Sequence, residues 1–462
     1  MSETNYDLVV IGAGPGGEVG AIRAAQLGMK VALVEKNEDL GGTCLNVGCI
    51  PTKCLLESAK TWTKLNHVEK LGFKIGTPQY DWAAIMERKS SIVNAQRKGL
   101  LFLMKKNKVT VYSGYGRILD PRSVEVSAGQ QKTLLKTKFI LIATGSRVKE
   151  LPFAKSNGKT ILTSDSILSI DHVPQSLAII GGGVVGMEFA SLFGSFGSQV
   201  TVIEMLPQIL PMEDPECTDV LTKSLRKQNV KVETSATLKG IDDRGDHCIV
   251  HVEAKESRRF DRVLIAVGRS PVTEDIGLAN IRVVAQKGFI PVDAHYRTTC
   301  ESVFAIGDVL MSPALAHTAS AEAIHAVEVM VAKQPPLIDY QCNPSSIYTY
   351  PEISSIGMTE PTLKEKKIDY KVAKFPFAPL AKAKIEEATE GFIKILYEPK
   401  YREILGVHIV GAKATELIGE FVLGKILETT IDEIAHAIHP HPTLSETIME
   451  AAHVAIGGAI HL

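Results

Sequence analysis

The amino-terminal stretch Met-Ser-Glu-Thr-Asn-Tyr-Asp lacks a cationic segment leading into an apolar one, and the first apolar run, Leu8 to Ile11, is far shorter than the roughly 20 residues that span a bilayer. Export, mitochondrial import and membrane residence are therefore not expected. Charge of one sign is also missing: 51 Lys and Arg stand against 52 Asp and Glu, a formal net charge of -1. Without a global field, neither nucleic acid nor an anionic surface is an expected partner. Cysteine is sparse, and the set Cys44, Cys49, Cys54, Cys217, Cys248, Cys300 and Cys342 is odd in number and scattered. This is not the spacing of a stapled secreted domain, so a reducing cytoplasm is expected and any disulfide would be catalytic.

What the chain does have is length and glycine. At 462 residues it exceeds a single hydrophobic core, so two to four domains are expected. Tyr6 to Ile11 reads as a short buried strand running into Gly12-Ala13-Gly14-Pro15-Gly16-Gly17, a helical stretch through Leu27, and a second strand from Lys30 that ends at Glu35. The pattern recurs as Leu177 to Ile180, Gly181-Gly182-Gly183-Val184-Val185-Gly186, a helix to Phe196, and a strand Gln199 to Ile203 ending at Glu204. The same 23 positions separate Gly12 from Glu35 and Gly181 from Glu204. In each copy the first glycine permits the tight turn, the second lets backbone approach a pyrophosphate, and the last allows close helix-to-strand packing; the acid would accept from a ribose hydroxyl. One such match is weak evidence, but strand, glycines, helix, strand and acid in order, twice, imply two dinucleotide sites. Glu204, with no Arg until Arg226, would repel a 2′-phosphate, which favours NAD over NADP at the second site.

Between the first unit and the next helix lies Gly41-Gly42-Thr43-Cys44-Leu45-Asn46-Val47-Gly48-Cys49-Ile50-Pro51-Thr52-Lys53. With this spacing the two Cα atoms can come within the roughly 4.4 to 6.8 Å that a disulfide requires, so reversible closure is feasible. Pro51 suits the first position of a helix, which puts Cys49 just before an N-terminus whose dipole favours a thiolate. Cys49 is thus the expected more acidic thiol. Two ordinary buried cysteines are the bland alternative, and a metal site lacks the companion Cys or His pair nearby.

In combination, GAGPGG, GGTCLNVGCIPTK and GGGVVG make the chain resemble the pyridine nucleotide-disulfide oxidoreductases over essentially its whole length. Further matching segments are Ile142-Ala143-Thr144-Gly145-Ser146, Ala266-Val267-Gly268-Arg269-Ser270-Pro271, Phe304-Ala305-Ile306-Gly307-Asp308 and Ala314-Leu315-Ala316-His317, with Thr318 where a lysine is common. The resemblance implies an α/β fold of two Rossmann-like dinucleotide-binding domains, for FAD and NAD, plus a C-terminal α+β dimerisation domain. The expected division is 1-147 for FAD, 148-268 for NAD, 269-338 for the return to the FAD and central region, and 339-462 for dimerisation. It further implies that FAD is met by Gly12, Gly14, Gly17, Glu35, Gly42, Thr43, Lys53, Gly116, Thr144, Gly145, Ser146, Asp308 and the segment Ala314, Leu315, Ala316 and His317. NAD would be met by Gly181, Gly183, Val185, Gly186, Glu188, Glu204 and Gly268. Lys53 and Glu188 match the family's buried ion pair beside the flavin, although either could be a solvated helix charge.

Near the C-terminus, His439-Pro440-His441-Pro442-Thr443-Leu444-Ser445-Glu446 precedes a helical run. It matches the family's His-Glu dyad, with His441 as base, reaching the disulfide of the partner subunit in a homodimer. A blander reading makes Thr443 and Glu446 a capping box. His436, His439 and His441 have no spacing of a common closed zinc site. The branch implied oxidises dihydrolipoyl groups, as free dihydrolipoamide or on the acyltransferase component of 2-oxoacid dehydrogenase complexes, through Cys44 and Cys49. A glutathione-type reductase normally carries basic residues where Glu204 stands, and a mercuric reductase carries a terminal cysteine pair that this chain lacks. A non-catalytic scaffold or adhesin that kept the fold is the rival from another class.

Overall fold

The structure, a computed structural model, describes residues 4–462. The chain divides into two compact units: one combines the chain up to Cys54 with Ala83–Lys149 and Gly268–Ile338, and the other combines Leu55–Trp82, Glu150–Val267 and Asp339–Leu462.

The first unit is built on a seven-stranded sheet. Its order is Thr110–Ser113, Val31–Glu35, Thr4–Ile11, Gln131–Ile142, Ser123–Ala128 and Tyr115–Asp120, with Val303–Ala305 also paired to Gln131–Ile142. The strand Gln131–Ile142 serves two purposes along its length. Its start pairs antiparallel with Ser123–Ala128, whereas Ile140 to Ile142 lie between Val9 to Ile11 and Val303 to Ala305 in parallel register. Parallel strands covered on both faces need continuous apolar sequence rather than alternation. Accordingly Leu8, Val9, Val10, Ala32, Leu33, Ile140 and Leu141 are all fully buried. Helices Pro15–Gln26 and Ala316–Met330 pack on each other, and Gly20 makes this possible because a Cβ there would lie 2.9 Å from Leu141 Cδ2 and 3.4 Å from Ala323 Cβ. Ser146–Val148 pairs antiparallel with Arg269–Pro271, so the exit of the chain after Lys149 and its return at Gly268 lie beside one two-stranded ribbon.

In the second unit, a wholly parallel sheet of order Val230–Glu233, Gln199–Ile203, Ser176–Ile180, Arg262–Ile265 and Ile161–Thr163 covers the helix Val184–Ser195, which is buried from Gly186 to Gly194. A three-stranded antiparallel sheet, Leu238–Asp243, Cys248–Val252 and Arg258–Phe260, accompanies it. The C-terminal part of the unit is a five-stranded antiparallel sheet of order Ser345–Ile347, Glu352–Gly357, Ile404–Gly411, Phe392–Tyr397 and Lys371–Pro376, followed by helices Ala414–Ile426, Ile431–His436 and Glu446–Ile456. Lys394 in this sheet is 1% exposed, and its ammonium donates to Asp214 Oδ2 at 3.0 Å, Glu216 Oε1 at 2.7 Å and Glu360. A charge buried so completely is tolerable only with such partners. Among the described residues, no helix is long and apolar enough to cross a membrane.

Candidate active site

The two glycine turns are near copies in backbone. Gly12 and Gly181 adopt φ of +102° and +107°, in the left-handed region that disfavours a side chain, and a Cβ would come within 2.3 Å of Ala143 O in the first and 2.4 Å of Ala266 O in the second. Gly14 and Gly183 each cap the following helix with extended backbone, at φ/ψ of -74°/-176° and -74°/-178°. Gly17 and Gly186 lie so close to the turn that a Cβ would stand 1.8 Å from Gly12 O and 2.0 Å from Gly181 O. By contrast, a Cβ at Gly183 would meet nothing within 4 Å, and one at Gly14 only Gly42 Cα at 3.9 Å. The space above each helix end is thus left open beside amide donors and the positive end of the dipole, a cradle that fits a dinucleotide pyrophosphate.

Each acidic residue is tied to its own turn. Glu35 accepts from Ala13 N at 2.8 Å and Asn37 N at 2.9 Å, and Glu204 accepts from Gly182 N at 2.5 Å and Leu206 N at 2.7 Å. The carboxylates therefore rigidify the glycine loops, a role sequence reasoning did not assign to them. Around the first turn, Ile11, Gly12, Glu35, Gly116, Thr144 and Val272 line a pocket. Gly116 is small for a packing reason, since a Cβ would stand 3.0 Å from Ile11 Cγ2.

The cysteines sit on two helices rather than one. Cys44 lies in Gly42–Val47, and Cys49 is the first residue of Cys49–Leu65, with Gly48 as the break between them. The helix begins two residues before Pro51, so the expectation that Cys49 would precede it is corrected; backbone after Gly48 is already helical, and Thr52 N donates to Gly48 O at 3.1 Å. Gly48 is required because a Cβ would lie 2.8 Å from Thr43 O and 3.2 Å from Cys44 Cα. Across this break the thiols of Cys44 and Cys49 come into hydrogen-bond contact. That contact, burial, and the nearby charges of Cys49 and Glu18 raise the pKa of Cys44, with Lys53 acting in the opposite sense.

A polar chain joins this segment to the rest of the first unit. Arg269 donates through Nη2 to Thr43 Oγ1 at 3.2 Å and through Nε to Ser146 Oγ at 2.7 Å, and Ser146 Oγ donates to Asp308 Oδ2 at 2.5 Å. Three residues named from sequence, Thr43, Ser146 and Asp308, are thus brought together, and Arg269 is the link sequence reasoning passed over. Thr144 Oγ1 donates to Val272 O at 2.5 Å, Gly145 is at φ +67°, and Gly268, at φ +104°, falls in this same unit with its carbonyl accepting from Lys149 N. Ala314 and Leu315 lead into the helix that starts at Ala316 and His317, and Lys53 is half-buried on its helix.

In the second unit, Glu188 is 4% exposed and its Oε1 accepts from Tyr348 N at 3.1 Å, and Val185 is on the surface in the first turn after Gly183. His441 Nδ1 is 2.9 Å from Glu446 Oε1, and Glu446 Oε2 accepts from Thr443 N at 2.9 Å. Burial works to raise the Glu446 carboxyl, but the bonds from His441 and Thr443 overcome it and hold the group below the usual carboxylate range. With Nδ1 engaged, Nε2 of the exposed imidazole is the atom presented outward. The expected capping box is half present: the helix starts at Glu446 after Ser445, and Thr443 Oγ1 is committed to Pro440 O at 2.7 Å and Ser445 Oγ at 2.7 Å. Each neighbouring histidine has its own partner, His439 Nε2 with Glu420 Oε1 at 3.1 Å and His436 Nδ1 with Asp432 O at 2.6 Å.

Twin dinucleotide cradles with a dithiol docked on one of them define a flavin-type disulfide oxidoreductase, and comparison with known proteins agrees. The family model described as pyridine nucleotide-disulphide oxidoreductase matches residues 6–323, and the family's dimerisation domain matches residues 343–452. The chain belongs to this family. It is 41% identical to the dihydrolipoyl dehydrogenase of Bacillus subtilis, covering 99% of both chains, and 39% identical to that of Zymomonas mobilis, again covering 99% of both. Among solved structures it is similar to LpdA from Mycobacterium tuberculosis, with a TM-score of 0.92 and 25% identity over 97% of this chain and 99% of that one. It is also similar to a Cu(II) complex of the HOCl-induced flavoprotein disulfide reductase RclA from Escherichia coli, with a TM-score of 0.88 and 27% identity over 98% and 99%.

Proposed function

We propose that this enzyme is a dihydrolipoyl dehydrogenase, which oxidises dihydrolipoyl groups to the cyclic disulfide and passes the electrons through FAD to NAD. The observation that carries the reading is the Cys44 and Cys49 thiol contact across Gly48, beside a turn shaped for a dinucleotide. The full-length likeness to dihydrolipoyl dehydrogenases supports the choice of substrate.

FAD, when bound, supplies the two-electron relay between the dithiol and the nicotinamide. The residues that would hold it are Gly12, Gly14, Gly17, Glu35, Gly42, Thr43, Lys53, Gly116, Thr144, Gly145, Ser146, Asp308 and Ala314 to His317. Gly181, Gly183, Val185, Gly186, Glu188, Glu204 and Gly268 would serve NAD. A dihydrolipoyl thiol loses its proton to His441 Nε2, oriented by Glu446, and the thiolate attacks Cys44 Sγ. The Cys44–Cys49 bond breaks, a mixed disulfide forms, and Cys49 leaves as a thiolate. The second dihydrolipoyl sulfur, once deprotonated, closes on the lipoyl sulfur of that mixed disulfide and releases Cys44. The product is lipoyl disulfide, and both enzyme cysteines are left reduced.

In this reading residues 1–147 and 269–338 form the FAD part, 148–268 the NAD part, and 339–462 the surface through which two copies form a homodimer, with His441 serving the cysteines of the other copy. The lipoyl-bearing acyltransferase of a 2-oxoacid dehydrogenase complex would be the macromolecular partner. The scattered cysteines favour a reducing, cytoplasmic setting.

The test is anaerobic mixing of purified protein with dihydrolipoamide while the flavin spectrum is followed, then addition of NAD or NADP. Long-wavelength thiolate-to-flavin absorbance followed by NADH formation is expected. A silent flavin that is nonetheless reduced by NADPH would reject the assignment.

A further inference from the structure

Glu18 lies in the first turn of the helix Pro15–Gln26, its backbone N donating to Gly14 O at 2.9 Å. The Cys44 segment docks against that same turn: Gly41 N donates to Ala13 O at 2.8 Å, and a Cβ on Gly42 would stand 2.6 Å from Gly14 Cα. Cys44, in the first turn of its own short helix, is thereby carried over the first turn that holds Glu18, close enough for the charge of Glu18 to act on it. Glu18 Oε2 is buried and accepts no hydrogen bond. A carboxylate oxygen in that position is costly unless the group holds a proton.

We infer that Glu18 is a positioning residue of the dithiol centre, a half-buried carboxyl whose ionisation opposes that of Cys44 and so favours the Cys44 thiol. Burial alone pushes Glu18 up to about 7. A pyrophosphate at the adjoining helix end would add negative charge and press the same way. The other charged groups on elements around this helix are engaged elsewhere: Glu35 on Ala13 N and Asn37 N, Glu322 on Gly307 N, Arg23 with Glu328, and His325 with His295 and Pro336 O. His317 stands at the start of the facing helix, and Lys53 favours the Cys44 thiolate. Cys44, Cys49 and Glu18 are therefore three acids in one small region, and ionising any of them makes ionising the next harder. The consequence for turnover is that Cys44 leaves as a thiolate more readily while Glu18 is neutral.

This inference rests on Cys44 and Cys49 being the redox pair, and one experiment separates the two. The FAD-loaded enzyme is opened with tris(2-carboxyethyl)phosphine and treated with iodoacetamide across pH 6 to 9.5, and alkylation of the Cys44 peptide is quantified by mass spectrometry. In Glu18→Gln the Cys44 midpoint is expected to fall by about one pH unit, which is roughly tenfold faster alkylation near pH 8. Glu18→Leu, which replaces the unpartnered oxygen by carbon, is the second variant should the amide fold poorly, and the same shift is expected. A wild-type Cys44 profile in either folded, yellow variant overturns the role of Glu18. If the phosphine exposes no new alkylation at Cys44 or Cys49 in the wild type, the redox-pair reading fails instead.

Discussion

The turns at 12 to 17 and 181 to 186 share φ values, cap geometry and the buried tie to an acidic residue, yet they differ in what stands between and just after the glycines. At matching positions the first has Gly16 and Glu18, and the second has Val185 and Met187. A Cβ on Gly16 would meet Ile306 Cδ1 at 2.6 Å and Ala319 Cβ at 3.2 Å, whereas Val185 is on the surface and Met187 is wholly buried. The glycines thus prescribe a cradle, and the residues interleaved with them prescribe what can be built against it. Of the two, the first copy carries the docked dithiol, and it has an acid, Glu18, where the second has Met187.

The most severe test of the likeness adds one methyl group to each copy. Gly17→Ala should yield protein without yellow colour, because its Cβ would collide with Gly12 O at 1.8 Å, and Gly186→Ala, with a contact of 2.0 Å to Gly181 O, should keep the flavin but lose reduction by NADH. Absorbance of the purified proteins and a diaphorase assay separate these outcomes, and loss of flavin from both would mean that the copies are not independent. Next in size is the difference between the copies. Cys44→Ser should remove lipoamide turnover while leaving NADH-to-dye transfer, and His441→Gln should lower lipoamide turnover by about 10²- to 10⁴-fold with the same transfer spared. Unchanged lipoamide turnover in either variant removes that residue from the mechanism.

A smaller effect is expected from the acids. Glu35→Gln and Glu204→Gln would each turn an amide NH2 or a weaker acceptor toward loop N–H groups, at a cost of about 1–3 kcal/mol per unsatisfied donor. Chemical unfolding of the two variants should therefore show similar losses, and a loss in one alone would break the equivalence. The smallest effect concerns Glu446. Its folded pKa is depressed, so the stabilisation from its pairing is present above the ordinary carboxylate value and disappears only as pH falls through the lower one. Carboxyl carbon NMR of labelled enzyme, assigned with Glu446→Gln, should show this group ionised throughout pH 7 to 5. A midpoint above that of an ordinary glutamate would contradict the geometry.

Much of the frame was legible from sequence. The strands and helices of both glycine-turn units fall within a residue or two of the expected spans, because glycine punctuation and continuous apolar strands act locally. Less legible was the split of the cysteine segment into two helices, since the break at Gly48 answers to a steric contact with Thr43 and Cys44 that forms only after the chain folds back. The N-cap is Ser445, two residues past the expected Thr443, whose hydroxyl is taken up within its own loop by Pro440 O and Ser445 Oγ.

The order of residues by itself determined the two cradles, the cysteine spacing and the acid at the end of each second strand, all features that depend on backbone freedom and on neighbours in the chain. Tertiary structure decided what those features touch. Arg269 reaches Thr43 across 226 positions and Ser146 across 123, and the charge of Glu18 acts on Cys44 where Gly42 lies against Gly14. Burial and long-range contact set the charge of a group, and neither is a property of the group's own stretch of sequence.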